Sequence, residues 1–76
     1  MTAKLAAGGP VKHSLSLHGH RTSVSLEAEF WQAFREIAAG RGVALNTLAA
    51  EIDDGRAPGV GLASAIRVFV LAAVRR

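Results

Sequence analysis

The stretch Arg21-Thr-Ser-Val-Ser-Leu26 alternates polar and apolar residues, and every pattern that follows it is helical. Period-two alternation rich in Thr, Val and Ser predicts a half-buried strand. Thr22, Val24 and Leu26 share one face, and Arg21, Ser23 and Ser25 share the other. A strand by itself leaves both main-chain edges unpaired and is not stable in water. Two solutions exist. Residues 14–17 (Ser-Leu-Ser-Leu) alternate likewise and can fold back on residues 21–26 as a tight hairpin, with Gly19 as a bulge, kink or turn. Alternatively, the strand pairs with its own copy in a second chain, antiparallel about a twofold axis.

Composition favours the second solution. The chain has 76 residues, half of them hydrophobic, and no cysteine. At this length one copy buries only about 60% of its unfolded surface, and small domains commonly add disulfides, metal or a partner. Disulfides and thiolate metal sites are excluded here, which fits a reducing compartment. The apolar surplus argues against disorder and for self-association. The expectation is therefore a mainly α fold with one β-strand, paired between two copies. A single-copy species with that stretch paired inside its own chain would remove the two-chain ribbon and any function assigned to it.

Residues 1–11 are small, Gly-rich and near Pro10, and are expected to form a flexible arm. Residues 27–40 predict a helix. Glu27 and Glu29 suit its first turn, Phe30, Phe34 and Ile37 make an apolar stripe with Ala33 and Ala38 alongside and Trp31 at its flank, and Gly40 and Gly42 end it. Residues 45–54 predict a second helix on Leu45, Leu48, Ala49 and Ile52. These elements give a core over 12–54, a linker over 55–61 and a C-terminal helix within 62–76. Val68, Leu71 and Val74 widen the stripe of that last helix, so it is expected to be buried on more than one side.

The net charge is +3, and its placement is uneven. Lys4, Lys12 and Arg21 stand among residues 1–26 without an acid, whereas residues 27–76 balance six arginines against six acids. Clustered positive charge is the electrostatic footprint of a nucleic-acid binder, and a dimer would double it. Lys4 is followed by too short an apolar run for a signal peptide. The run Val68–Val74 is far below a membrane span. A soluble cytoplasmic protein is expected. No nucleophile–base pair, phosphate loop or carboxylate dyad stands at informative spacing, so no enzyme is expected. His18 and His20 are two apart and lie on one side of a regular strand, without a Cys or acid nearby in sequence. No metal or cofactor is expected there, and hydrogen bonding at the strand's end is the better reading. Glu51, Asp53 and Asp54 read as a solvated helix end or the partners of an Arg.

The run from Arg21 through Leu26, Phe30, Trp31, Phe34, the Gly40–Gly42 turn and Asn46 resembles a ribbon-helix-helix domain, in layout like the Arc and methionine repressors. It is more similar still to a group of short bacterial proteins with a GHRTSVSLE.EFW..LREIA..RG..LN.L..EID core and an L.SA.RVFVL tail. That pattern stands almost entire in residues 19–54 and 62–71, and the resemblance covers most of the chain beyond residue 12.

The resemblance implies an intertwined homodimer with an intermolecular two-stranded antiparallel ribbon that lies in the major groove of double-stranded DNA. Arg21, Ser23 and Ser25 would then face base edges. Thr22, Val24, Leu26, Phe30, Phe34, Ile37, Leu48 and Ile52 would form the dimer core. The start of the second helix (Ala44, Leu45, Asn46 and Thr47) would meet a phosphate. Many members carry Ser or Thr where this chain has Ala44, which leaves main-chain N–H groups as the donors. Lys12 and His20 would add phosphate contacts, which set affinity rather than sequence preference. The implied role is a small transcriptional regulator, a repressor. The alternative is a protein-interaction or antitoxin-like adaptor dimer that presents its C-terminal helix to a partner. Whether dimers assemble further on DNA stays open at this point.

Overall fold

The computed structural model describes residues 8–75. Two strands, β1 (Pro10–Leu17) and β2 (His20–Glu27), are followed by α1 (Ala28–Arg41), α2 (Leu45–Gly55) and α3 (Leu62–Val74). β1 and β2 pair antiparallel within the one chain, from Leu17 opposite His20 to Pro10 opposite Glu27. The strand's partner is thus the preceding segment of the same chain, and the expectation of a single strand is corrected to two. The reason lies at residues 18–19. His18 (φ 54°) and Gly19 (φ 79°) both adopt the left-handed conformation, and two successive left-handed residues make the two-residue hairpin turn whose twist matches the flanking strands. Glycine takes that conformation without steric cost. β1 also begins at Pro10, so Pro10 and Val11 of the expected arm belong to the ribbon, Gly8 and Gly9 lead into it, and residues 1–7 lie outside the described residues.

One face of the ribbon packs on the helices. Leu15, Leu17, Val24 and Leu26 join Phe34, Ala38, Leu48, Ala49, Ile66 and Val70 in one buried core. Phe34, Leu26, Leu48 and Ile66 are its largest fully enclosed side chains, each worth about 1.5–3 kcal/mol in apolar transfer. α2 meets β1, while α1 and α3 meet β2. The aromatic residues interlock beneath the ribbon. His13 stacks on Trp31 with ring centroids 4.0 Å apart, and Phe69 meets the edge of Phe34 at 6.4 Å. Val24, Leu26, Phe34 and Leu48, expected in a two-chain core, are therefore buried within one chain. Thr22, Phe30, Ile37 and Ile52 stay half-buried.

The helix ends follow local chemistry. α1 stops at Gly42 (φ 70°), where the N–H groups of Gly42 and Val43 return to Ala39 O and Ala38 O; a left-handed glycine lets the chain turn back on the last carbonyls. After α2, Arg56 holds Asp53 at 2.7 Å and donates to the Val60 carbonyl, which orders the link to α3. α3 is buried on one side only. Ile66 and Val70 face the core, whereas Val68, Leu71 and Val74 are 67%, 50% and 61% exposed. The expectation of burial on more than one side fails because ribbon, α1 and α2 all lie on the same flank of α3.

Candidate nucleic-acid interface

The ribbon's second face is open. Lys12, Ser14 and Ser16 of β1 and Arg21, Ser23 and Ser25 of β2 are all exposed. The register sets them opposite one another as Lys12–Ser25, Ser14–Ser23 and Ser16–Arg21. Arg21, Ser23 and Ser25 thus share one face, as their spacing predicts. Lys12 lies on the same surface. Ser14 and Ser16 were not among the expected contact residues. The signal for them was present, because Ser14-Leu-Ser-Leu17 repeats the alternation of Ser23-Val-Ser-Leu26.

The open face is cationic. Neither Lys12 nor Arg21 has an ion-pair partner among the described residues. Glu27 continues the same phase at the far end of the ribbon, where it is the N-terminal cap residue of α1. Arg67 of α3 holds its carboxylate through Nε at 3.0 Å and Nη2 at 2.9 Å. A hydrogen bond from its own main chain, and then those from Arg67, keep the carboxyl below its ordinary range. The one acid in this phase is thereby neutralised.

Both edges of the ribbon are tied to a helix. The Ser16 N–H donates to Asn46 Oδ1 at 3.0 Å, which sets the first turn of α2 against the β1 edge. Arg67 Nη2 reaches the Ser25 carbonyl at 3.4 Å on the β2 edge. Ser16 and Ser25 thus turn main-chain groups out of the ladder. In an antiparallel pair such residues alternate with ladder-bonded ones, and they sit where opposite side chains come closest, with Cα atoms about 4.5 Å apart.

The start of α2 carries no side-chain cap at Ala44. The first N–H groups of a helix lack internal partners and favour an anion. Ala44, Asn46 and Thr47 are exposed and Leu45 is half-buried. Asn46 is engaged with the ribbon, so its side chain positions the helix end rather than projecting freely.

The histidines separate. His18 sits in the turn, not on a strand, and its Nε2 meets Asp54 Oδ1 at 2.8 Å. It therefore does not share a strand face with His20. His20 is exposed and lines a cleft with Leu17, His18, Thr22 and Asp53. His18, Asp53 and Asp54 bring one donor atom each within 4.8 Å of one another. That group is already engaged, Asp54 by a hydrogen bond with His18 and Asp53 by an ion pair with Arg56.

No helix among the described residues is long and apolar enough to cross a membrane. A family model described as the ribbon-helix-helix domain matches residues 10–74, which takes in β1 at one end and α3 at the other. A comparison with curated proteins returned no match, and neither did one with solved structures.

Proposed function

The chain belongs to the ribbon-helix-helix family, whose domains generally bind DNA as transcription regulators, and on that footing we propose that it binds double-stranded DNA sequence-specifically through the open face of its ribbon. The observation that carries this reading is the face itself: small hydroxyls flanked by two cations that have no ion-pair partner among the described residues, on a two-stranded element backed by a buried core. The major groove is about 12 Å wide and admits a two-stranded ribbon. Arg21 suits the O6 and N7 acceptors of guanine, a bidentate contact worth about 1–3 kcal/mol of discrimination. Ser23 and Ser25 donate or accept and read less selectively. The N–H groups at the start of α2, including those of Leu45, Asn46 and Thr47, take a phosphate beside the β1 edge, Lys12 adds charge, and His20 adds a phosphate contact. Bound over a promoter, such a protein acts as a small repressor.

Self-association belongs to the same proposal, because members of this fold typically act as dimers. Among the described residues α3 leaves an apolar stripe open at Val68, Leu71 and Val74. It continues into a groove lined by Leu48, Ile52 and Phe69. A second copy covers it. The same stripe favours the second reading, an adaptor that offers α3 to another protein.

Duplex binding should fall steeply as salt rises. Arg21→Ala should remove sequence preference while the fold survives. Unchanged binding by that variant rejects the contact set. A stable protein partner with no measurable duplex affinity turns the assignment to the adaptor.

A further inference from the structure

We propose that the tip of the ribbon and the end of α2 form a binding site for a divalent first-row metal ion of the zinc type, with His18, Asp53 and Asp54 as its protein ligands. The site stands apart from the face proposed to meet DNA and does not depend on that reading.

The fold assembles this donor set from distant parts of the chain. No acid stands near His18 in sequence. The hairpin turn holds His18 at the ribbon's tip (φ 54°), and the last turn of α2 brings Asp53 and Asp54 to it. One donor atom from each of the three lies within 4.8 Å of the others, and His18 Nε2 stands 2.8 Å from Asp54 Oδ1. Ligands about 2.0–2.1 Å from an ion at tetrahedral angles are about 3.3 Å apart. The side chains of His18 and Asp54 are 52% and 64% exposed, so small rotations close the difference.

Electrostatics favours a cation at this place. Asp53 and Asp54 are neighbours in the last turn of α2, which holds no basic residue. That end of a helix carries partial negative charge, so carboxylates there are disfavoured, and two side by side repel. Arg56 answers only Asp53, at 2.7 Å from Oδ1. A carboxylate has a second oxygen, so Asp53 can ligate while Arg56 orients it, as the outer partners of metal ligands do. With a neutral imidazole the cluster keeps one net negative charge.

The donor types set the metal. An imidazole nitrogen with carboxylate oxygens and no thiolate suits zinc and its first-row neighbours, whereas calcium and magnesium prefer oxygen alone. Three protein ligands leave a fourth position for water. His20 lines the same cleft but is outside the group of three. A bound ion joins the turn to α2 and holds the ribbon's tip against the helix.

Titration of the full, metal-free chain with Zn2+ alone tests the site, read by calorimetry and by thermal unfolding. One ion per chain should bind, and the thermal midpoint should rise with zinc concentration. Mg2+ at the same concentrations should leave the midpoint in place. His18→Asn keeps a residue that tolerates the left-handed turn and removes the imidazole. Loss of an outer partner of a metal ligand already costs roughly 10-fold in affinity, so His18→Asn and Asp54→Asn should each cost at least that. His20→Ala should leave zinc affinity nearly unchanged. A chain that takes up no zinc, or takes it up equally well as His18→Asn, overturns the site. Binding lost in His20→Ala and kept in Asp54→Asn overturns the ligand set.

Discussion

The main-chain N–H of Ser16 donates to the side-chain oxygen of Asn46, 3.0 Å away and thirty residues further along the chain. The bond joins the outward edge of β1 to the first turn of α2. It therefore fixes the distance between the surface proposed to read bases and the helix end proposed to bind phosphate. An exposed strand edge is also a template for unwanted pairing, and a side chain that takes its N–H blunts that hazard.

Asn46→Ala should separate these two functions. The hydrogen bond is solvent-exposed, so its loss should cost about 1 kcal/mol of stability, read as a shift of the urea midpoint. Duplex affinity should fall by more than stability does, because the helix end loses its alignment with the ribbon. A variant whose affinity is unaltered would show that α2 takes no part in positioning the duplex.

The hairpin turn makes a second prediction. Gly19 has φ 79° with open space around it, so an added Cβ meets no neighbour, and the whole cost is conformational. Gly19→Ala should destabilise the fold by about 1–2 kcal/mol. Thermal unfolding checks this. An unchanged midpoint would mean that the turn relaxes freely, and the ribbon's register with it.

The helices and the inner and outer faces of β2 were legible because they depend on local spacing. Phe34, Ala38, Leu48 and Ile66 sit in the core where their periodicity put them. The partner of β2 was not legible in the same way. Alternation states which side chains share a face, but it is silent on whose main chain completes the ladder. The His18-Gly19 step held the answer, because two left-handed residues close a hairpin, yet histidine is not a customary first residue of such a turn. The one-sidedness of α3 was hidden for a related reason. Val68, Leu71 and Val74 are as apolar as a buried stripe, and only tertiary placement shows that the described residues leave them at least half exposed. The Ser16–Asn46 and Glu27–Arg67 contacts span thirty and forty residues, a range over which local pattern carries no information.

That stripe carries the third prediction. Val68→Ser with Leu71→Ser leaves Ile66 and Val70 in place, so the chain should fold with its stability nearly unchanged. Self-association should weaken sharply, seen by sedimentation as a shift to the single chain at micromolar concentration. If the double variant keeps the wild-type mass in solution, the copies meet elsewhere.

Acid should loosen the junction between β2 and α3 through Glu27. Its carboxyl titrates lower in the folded chain than in the unfolded one, first through a hydrogen bond from its own main chain and then through Arg67. A group with a depressed folded value adds stability above its unfolded value, near pH 4.3, and that contribution is lost as the pH falls through the folded value. Glu27→Gln should thus be less stable than the parent at pH 7, and the gap between the two should narrow below pH 4. Arg67→Ala removes only the second cause, so it should keep part of the acid-dependent loss that Glu27→Gln abolishes. Urea midpoints of the three chains at pH 7, 5 and 3 measure this directly. A gap between Glu27→Gln and parent that stays constant across the series would place the junction's strength in packing rather than in the carboxylate.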